Sequence, residues 1–561
     1  IFGLQMMFRL MIFYLLTFSA VSVHADLVWL ILRDKITGDG RTVRWDFSKS
    51  IYNVAEQDLP VRRDYISEIE KVGVRVRISS RWINAVSVKA TDYQQIELGK
   101  LDFIKAIIPV RRLPKTPTQV KIPPPARRSA VYDSYYGNSY EQLAQVNVIP
   151  LHEMGFRGSG IRIAILDNGF HYTDHPAFLN GLDVVAEKDF VNNDAIVSDE
   201  IGQSKTGDER LSSQNIHGAQ VLSILAGNDI GSFVGIVPDA EYLLAKTEDN
   251  SSEFPVEEDR WIAGLEWADS LGADVVNSSL GYNLWDDGSG YKYQDLDGRT
   301  ALTSIAARHG VERGLVIVVA AGNEALSSWH YITAPADADG VTSVGSVSLA
   351  MDSENKPDIS ATSSRGPTAD GRIKPDLVAP GQGVVVADIR SGGYVRNNGT
   401  SFAAPIVSGI SALMLQVNPG WTPERLLSEL KSSALDMGVS GADTVFGWGL
   451  VNAFGASGLQ QAIPKKTRFF APSPNPAIGS TEYVFFPMNI VEPTNVSLHV
   501  FDVGGELVFS QKNYLLPGVY EVAKGAPTWR LDNNLANGIY FYQLMTDKVK
   551  IKGTLGIVRK R

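Results

Sequence analysis

Residues 399–405 read Gly-Thr-Ser-Phe-Ala-Ala-Pro and lead into an apolar run at 406–415. This stretch places Ser401 at the start of a predicted helix, where backbone N–H groups and the helix dipole stabilise negative charge. Acyl transfer needs a nucleophile in such a place. A serine before a helix is more often a simple N-cap, so Ser401 alone does not establish a catalytic role.

A carboxylate follows a short, buried strand earlier in the chain. Residues 161–166 read Ile-Arg-Ile-Ala-Ile-Leu, which predicts a strand, and Asp167 comes directly after it. In an open α/β sheet, ligands bind at the carboxyl ends of the strands. The alternative is an Asx-turn that only closes the strand.

Two further polar residues stand at predicted element ends. His217 begins a run at 217–227 with helical apolar spacing, and Asn323 follows an apolar strand at 316–320 and two small residues. An amide at such a turn is able to donate a hydrogen bond to an oxyanion. The structural alternatives are a packed or capping histidine and an ordinary turn asparagine.

The order Asp, His, Asn, Ser is that of the subtilisin triad and its oxyanion donor. Around these residues the chain resembles the subtilisin-like serine protease family over roughly residues 140–459. The supporting motifs are His175-Pro176 and residues 235–240, 277–281, 363–367 and 374–381. The resemblance implies an α/β, subtilisin-like three-layer fold with a central, mostly parallel sheet.

The resemblance also implies a role for each site residue in a serine endopeptidase. His217 is the general base, Asp167 orients it, and Ser401 is the nucleophile. Asn323 and the backbone N–H of Ser401 form the oxyanion hole. The residues implied in substrate binding are Ser279, Leu280, Gly281, Ala320, Ala321 and Gly322.

Two positions depart from the family pattern. Asn168 stands where Ser or Thr is usual, and Gln220 replaces a second histidine that is not part of the triad. Neither change removes a proton-transfer group. They leave open the alternative of a catalytically silent surface adhesion or scaffold protein with the same fold. Peptide ligation through the same acyl-enzyme is a further alternative.

The composition and the charge distribution exclude some kinds of chemistry and argue against some partners. The chain has 561 residues, no cysteine and a formal net charge of −10. Disulfides and cysteine chemistry are therefore excluded. The net charge is +8 over residues 26–128, −22 over 129–466 and +3 over 467–561. The opposite signs predict that the first two segments dock, and the acidic centre argues against a nucleic-acid partner.

The N-terminal part predicts a leader and a propeptide. Residues 1–25 have the pattern of a signal peptide, with the true start at Met6 or Met7. An uncleaved anchor is the alternative. Residues 26–128 form a predicted small α+β domain with a Pro/Arg-rich linker, and Arg127-Arg128 is the predicted processing point. The family resemblance implies a propeptide that inhibits its own enzyme; the alternative is a permanent accessory domain.

The catalytic domain is predicted at 129–462, a linker at 463–476 and a small all-β sandwich at 477–561. The last segment resembles the C-terminal sorting domain of type IX secretion substrates, through its Pro-Asn-Pro opening, residues 500–505 and 535–540, and its basic end. That resemblance implies the type IX machinery as a partner, export through the periplasm, and a secreted or surface-attached product. The alternative is a carbohydrate- or protein-binding module.

Acidic residues concentrate at 247–249 and 257–259. They either select basic residues in the peptide substrate or form a solvated face, and the low value of exposed charges favours the solvated face. No cofactor is expected. The calcium sites of the resembled family are not carried over, because no acidic loop has a spacing that assigns ligands.

Overall fold

The computed structural model describes residues 25–38, 40–44, 56, 58–110, 135–198, 216–249, 256–284, 289–351, 356–459, 467–478, 483–491, 494–515, 518–520, 527–531, 535–546 and 548–558. The chain divides into two compact units. The first comprises Ile1–Lys115, Ser252–Ala263 and Trp285–Ser289, and the second comprises the rest. The predicted leader up to residue 24, the arginine pair at 127–128 and residues 463–466 of the linker lie outside the described residues.

The first unit contains a four-stranded antiparallel sheet with the order β4-β5-β1-β6. Its strands are β1 (Ala25–Leu32), β4 (Val76–Ser80), β5 (Ala85–Thr91) and β6 (Ile104–Val110), and a separate hairpin joins β2 (Asp34–Ile36) to β3 (Thr42–Arg44). Helices α1 (Arg63–Lys71) and α2 (Asp92–Leu98) share an apolar core with the sheet. The predicted small α+β architecture is confirmed.

Local sequence explains the two helices of this unit. Tyr65 and Ile69 stand four residues apart, so α1 buries one face. Thr91 caps α2 through a capping box with Gln94, which satisfies two backbone donors at its start.

The first turns of a later helix, α6 (Val256–Ser270), also belong to the first unit up to Ala263. Asp259 on these turns is fully buried and accepts a hydrogen bond from the hydroxyl of Ser87 on β5. The guanidinium of Arg77 lies 3.5 Å from its carboxylate. Burial raises the pKa of Asp259 to about 7, and the hydrogen bond from Ser87 and the charges of Arg77 and Arg260 offset that rise only in part.

A mostly parallel sheet of nine strands forms the centre of the second unit. Its order is β17-β16-β14-β13-β12-β7-β11-β8, with β15 paired to β14, and only β15 and β17 run antiparallel to their neighbours. The strands are β7 (Arg162–Asp167), β8 (Asp183–Asp189), β11 (Glu241–Lys246), β12 (Val275–Ser278), β13 (Val316–Ala320), β14 (Thr342–Met351), β15 (Pro357–Ile359), β16 (Leu377–Asp388) and β17 (Gly393–Asn398). A short ribbon pairs β9 (Asn228–Asp229) with β10 (Phe233–Val234).

Helices cover both faces of this sheet. The other helices of the unit are α3 (Tyr140–Gln145), α4 (Ile149–Glu153), α5 (Ile216–Ala226), α7 (Leu302–Glu312), α8 (Thr400–Val417), α9 (Pro423–Ser433) and α10 (Ala453–Ala456), with 3₁₀ turns at Pro176–Phe178 and Tyr293–Asp295. Val316 and Val318 join the core of α5 and α8, whereas the intervening Ile317 faces α7. The three-layer α/β fold is therefore confirmed.

Helix α8 is buried over most of its length. Among the described residues it is the one helix long and apolar enough to cross a membrane, and 89% of it is buried inside the protein. It begins at Thr400, six residues before the apolar run that the sequence singled out, and it contains Pro405. Proline has no N–H, so the carbonyl of Ser401 four residues earlier loses its helical donor. The hydroxyl of Ser279 takes that place, donating to the carbonyl oxygen at 2.7 Å.

The C-terminal part of the second unit is all β. A five-stranded sheet has the order β19-β27-β26-β22-β23, and two smaller sheets have the orders β18-β21-β24 and β20-β25. The strands are β18 (Arg468–Phe469), β19 (Ala477–Ile478), β20 (Tyr483–Phe485), β21 (Met488–Ile490), β22 (Thr494–Phe501), β23 (Leu507–Leu515), β24 (Gly518–Tyr520), β25 (Thr528–Arg530), β26 (Gly538–Met545) and β27 (Lys550–Val558). They share one apolar core, which confirms the predicted small all-β architecture. A tight turn at residues 502–505 joins β22 to β23 in a hairpin.

Candidate active site

The carboxyl ends of four adjacent parallel strands meet at one edge of the central sheet. In spatial order these strands are β13, β12, β7 and β11. Asp167 ends β7, and its side chain is fully buried. One carboxylate oxygen, Oδ1, accepts hydrogen bonds from the backbone N–H of Asn168 and from Nδ1 of His217, both at 2.8 Å. Among the described residues its other oxygen, Oδ2, has no partner.

His217 lies in the first turn of α5, and its side chain is 31% exposed. Removal from bulk water lowers the pKa of the imidazole. The negative charge of Asp167, its hydrogen bond and the charge of Glu248 outweigh that effect, so the pKa is raised above its usual value. The bond to Asp167 places the proton on Nδ1, which leaves Nε2 as the nitrogen able to accept a proton.

Ser401 lies in the first turn of α8 and is 8% exposed. The preceding Gly399 has a φ of 145°, a backbone region that favours glycine. The aromatic ring of Phe402, next to Ser401, lies 5.6 Å from the imidazole of His217 between ring centres. The first turns of α5 and α8 therefore lie side by side at this edge of the sheet.

Asn323 is fixed by the start of α8. Its Oδ1 accepts hydrogen bonds from the backbone N–H of Thr400 at 3.0 Å and from the Thr400 hydroxyl at 3.2 Å. A Cβ at Gly399 would lie 2.9 Å from Oγ of Ser401 and 3.7 Å from Nδ2 of Asn323. The hydroxyl oxygen of Ser401 and the amide nitrogen of Asn323 thus border the same small space, which the glycine leaves open.

The candidate substrate segment 279–281 continues directly from β12. The hydroxyl of Ser279 is held between the side-chain amide of Asn277, at 3.1 Å, and the carbonyl of Ser401. Within the described part of the chain, no residue pairs with the backbone of Leu280 or Gly281. Their N–H and C=O groups are therefore candidates for pairing with an added, extended peptide strand.

The candidate pocket segment 320–322 continues from β13. Ala320 and Ala321 are buried and small, and Gly322 has a φ of 107°. A Cβ on Gly322 would lie 2.9 Å from Oγ of Ser364 and 3.0 Å from the side chain of Thr333. Any larger residue at Gly322 would therefore displace its neighbours. Thr333 was not singled out from the sequence, because it belongs to none of the motifs.

Known proteins share this architecture. A sequence model described as "Subtilase family" matches residues 158–449, more than half of the chain. The chain belongs to the subtilase family. A second model, "Peptidase S8 propeptide domain, Bacteroidota", matches residues 48–122. This subtilase is therefore a subtilisin-like serine peptidase that carries a propeptide domain.

Individual relatives agree with this assignment. Subtilisin E of Bacillus subtilis (strain 168) is 29% identical over 336 residues, covering 58% of this chain and 74% of that protein. M-protease of Shouchella clausii (strain KSM-K16) is 30% identical over 318 residues, covering 56% of this chain and 69% of that protein. The crystal structure of fervidolysin from Fervidobacterium pennivorans, a keratinolytic enzyme related to subtilisin, matches with a TM-score of 0.55 and 19% identity, covering 95% of this chain and 78% of that one. That likeness supports the fold.

Both departures from the subtilase pattern have hydrogen-bonding roles. Oδ1 of Asn168 accepts from the backbone N–H of Gly218 at 3.1 Å and so ties the end of β7 to the start of α5. Oε1 of Gln220 accepts from the side-chain amide of Asn397 at 3.0 Å. Asn168 therefore supports the helix that carries His217.

The interpretation of the acidic stretch as a solvated face was wrong. Glu248, Glu257, Glu258 and Asp259 are all buried. The last three lie on the first turns of α6 in the first unit, whereas Glu248 lies beside Asp167 in the second. Packing from elements distant in sequence buries these carboxylates, and local charge density does not reveal such packing.

Across the described ranges no group of three or more His, Asp or Glu side chains is arranged to hold a metal ion, so calcium stays unassigned in this subtilase. The structure brings Asp167 and His217 into direct contact and places Ser401, Asn323 and segment 279–281 around them. Tyr282, whose hydroxyl donates to Glu248, is an addition that the sequence did not single out, whereas Glu248 belongs to the acidic stretch at 247–249.

Proposed function

We propose that this subtilase is a secreted serine endopeptidase in which Asp167, His217 and Ser401 form the catalytic triad. The observation that carries the proposal is the 2.8 Å hydrogen bond from Nδ1 of His217 to the buried carboxylate of Asp167. The bond lies at the edge of the sheet where the first turn of α8 carries Ser401. A buried carboxylate in this position fixes the imidazole tautomer and stabilises its protonated form.

In the first half of the reaction, Nε2 of His217 takes the proton of the Ser401 hydroxyl while Oγ bonds to the carbonyl carbon of the peptide. The carbonyl oxygen becomes an oxyanion and receives hydrogen bonds from Nδ2 of Asn323 and the backbone N–H of Ser401. Collapse of this intermediate breaks the C–N bond. His217 gives its proton to the leaving amine, and an acyl-enzyme on Ser401 remains.

In the second half, water takes the place of the amine. His217 removes a proton from the water as its oxygen bonds to the acyl carbon, and the same two donors stabilise the new oxyanion. The ester bond to Oγ then breaks, the proton returns to Ser401, and the carboxylic acid leaves. Residues 279–281 hold the substrate as an added strand, and residues 320–322 receive the side chain before the scissile bond.

The N-terminal domain is the enzyme's own inhibitor in this proposal. The match of residues 48–122 to a propeptide domain supports it. The subtilase is made as a precursor, and cleavage in the Pro/Arg-rich segment up to residue 128 releases the active form.

The deciding experiment compares residues 26–561 with the Ser401→Ala variant after treatment with a serine-directed sulfonyl fluoride. We expect one covalent adduct and a shortened chain in the parent, and neither in the variant, by intact mass. A folded parent that does not shorten by itself, and that stays unlabelled even after added trypsin removes the N-terminal domain, would instead identify a catalytically silent scaffold. Transpeptidation products in the presence of added amines would identify a ligase.

The C-terminal β domain is proposed to be a type IX sorting module, on the strength of its motifs and its separate apolar core. Deletion after residue 466 in a host with that machinery should leave the enzyme inside the cell while the labelling of Ser401 persists. Normal export of the truncated chain would contradict the sorting role and favour a binding module.

A further inference from the structure

Glu248 lies at the substrate edge of the sheet, two residues after the end of β11. Its backbone N–H lies 3.3 Å from the carbonyl of Asp167, which also accepts from the N–H of Thr247 at 2.8 Å. The backbone of Glu248 is thus anchored to the backbone of the triad aspartate. Its position relative to the reacting groups is consequently fixed by the sheet and does not depend on a free loop.

The carboxylate of Glu248 is held in a defined direction. Only 7% of the residue is exposed, and the hydroxyl of Tyr282 donates to its Oε1 at 2.5 Å. Tyr282 is 1% exposed and directly follows the substrate segment 279–281. The carboxylate therefore lies between the triad aspartate and the end of that segment. Its charge is close enough to His217 to contribute to the raised pKa of the imidazole.

The strand order assigns Glu248 to one side of the bound peptide. The order β13, β12, β7, β11 places the pocket segment 320–322 on one flank of segment 279–281, and places His217's partner Asp167 and Glu248 on the other. Successive side chains of an extended peptide point in opposite directions. If the residue before the scissile bond (P1) enters the pocket at 320–322, the residue before it (P2) points toward Glu248.

We propose that Glu248 determines the substrate class of this site by selecting peptides that carry Lys or Arg at P2. The inference rests on the proposed function of Ser401 and its partners. A carboxylate removed from water attracts a cation more strongly than an exposed one does, because the local dielectric is low. A charged donor also makes a stronger hydrogen bond with it than a neutral donor does. An acidic P2 residue would meet like charge in the same place.

The alternative role for Glu248 is structural support of Tyr282. In that case the hydrogen bond would hold the end of segment 279–281, and loss of the carboxylate would slow cleavage of all peptides by the same factor. A ratio of two peptides measured on one variant cancels such a common factor. The ratio therefore separates selection at P2 from support of the strand.

The experiment uses the full chain after maturation and a set of quenched fluorescent peptides that differ only at P2, which is Arg, Lys, Ala or Glu. For the parent we expect kcat/KM to be ~10-fold or more higher for Arg and Lys than for Ala, with Glu lowest. In Glu248→Gln the Arg/Ala ratio should fall to within about 3-fold. Asp249→Asn, which removes the same charge at the next residue, is the matched control and should keep the ratio of the parent.

A charge-reversal variant provides an independent arm. Glu248→Arg should move the preference toward Glu at P2, a gain that a folding defect does not produce. An Arg/Ala ratio near one in the parent, or an unchanged ratio in Glu248→Gln, would overturn the inference while leaving the peptidase proposal intact. Failure of the matured parent to cleave any peptide would overturn both.

Discussion

Asn323 has two separable tasks at the level of single atoms. Its Oδ1 holds the start of α8 through Thr400, whereas its Nδ2 borders the space next to Oγ of Ser401. The first task is structural and the second is proposed to be catalytic. A substitution that keeps the acceptor and removes the donor distinguishes the two.

We predict that Asn323→Asp lowers kcat by about 10²–10³-fold, the range known for loss of one oxyanion donor in subtilisin. The carboxylate still accepts from Thr400, so the midpoint of urea unfolding should stay close to that of the parent. Both quantities are measured in purified, matured protein. A fall in kcat that is matched by a lower unfolding midpoint would assign Asn323 a structural role alone.

His217 gives a prediction for pH dependence. Catalysis needs its imidazole neutral, so kcat/KM rises as the pH passes upward through its pKa. Glu248 helps to raise that pKa, because its negative charge favours the imidazolium. Replacing Glu248 by Gln removes the charge, and the acid limb of the kcat/KM profile should move to lower pH.

The profile is measured with a substrate that carries Ala at P2, so that the charge of the substrate does not enter. Asp249→Asn again serves as the control and should leave the acid limb in place. A limb that moves to higher pH in Glu248→Gln would show that desolvation of His217 outweighs the lost charge.

Among the elements, α8 lacks one of its helical hydrogen bonds, and a residue that directly follows β12 supplies a replacement donor. Pro405 deprives the carbonyl of Ser401 of its helical donor, and the hydroxyl of Ser279 donates to that carbonyl at 2.7 Å. A proline inside a helix usually weakens it. Here it frees an acceptor that links the peptide unit of Ser401 to the candidate substrate segment 279–281.

We predict that Ser279→Ala destabilises the protein by ~1–3 kcal/mol, because a buried carbonyl then lacks a partner. Urea unfolding in the Ser401→Ala background, which prevents self-digestion, measures this change. Ser411→Ala is a suitable comparison, since its hydroxyl bonds only within α8, to the carbonyl of Val407, which also has a helical donor. Equal effects of the two substitutions would argue against a special role for Ser279.

Elements with strong local signals were predicted, and those that depend on long-range packing were not. The strand before Asp167 and the helix at His217 follow from apolar runs of sufficient length. Strands of two or three residues, such as β18 and β25, contain too few positions to show an alternating pattern. The start of α8 was predicted to within one residue, since the sequence placed Ser401 at a helix start and the helix begins at Thr400.

At the level of the whole molecule, the first unit contains a buried carboxylate that titrates near neutral pH. Asp259 has a pKa of about 7, above the ordinary value of 3.8, because it is buried against the N-terminal sheet. A group whose folded pKa is raised stabilises the fold fully below its unfolded pKa. That contribution is lost as the pH rises through the folded value.

We therefore predict that the contact between β5 and the first turns of α6 weakens as the pH rises from about 4 to about 7. Hydrogen exchange at Ser87 and its neighbours, measured in the full-length Ser401→Ala precursor, should show falling protection over this range after correction for the intrinsic rate. Asp259→Asn cannot ionise and should flatten the dependence. Protection that rises with pH in the parent would contradict the assignment.

The burial of Asp259 is a feature that the sequence did not predict. The order of Asp167, His217, Asn323 and Ser401 along the chain predicted the fold class, because each follows a local pattern that the family shares. The burial of Glu248 and of residues 257–259 depends on residues far away in the sequence. Charge density alone made both segments look solvated.

The order of strand ends at the substrate edge bears on how such an enzyme diversifies. The loop after β11, which carries Glu248, and the segment 320–322 at the end of β13 lie on opposite sides of β12 and β7, the strand that ends in Asp167. Each loop is a separate stretch of chain, so in the proposed function substitutions that alter which peptides are accepted arise in different loops from those that carry Asp167 and His217. Related enzymes can therefore change their substrate specificity through substitutions or exchanges in these loops. The residues proposed to carry out the reaction stay the same.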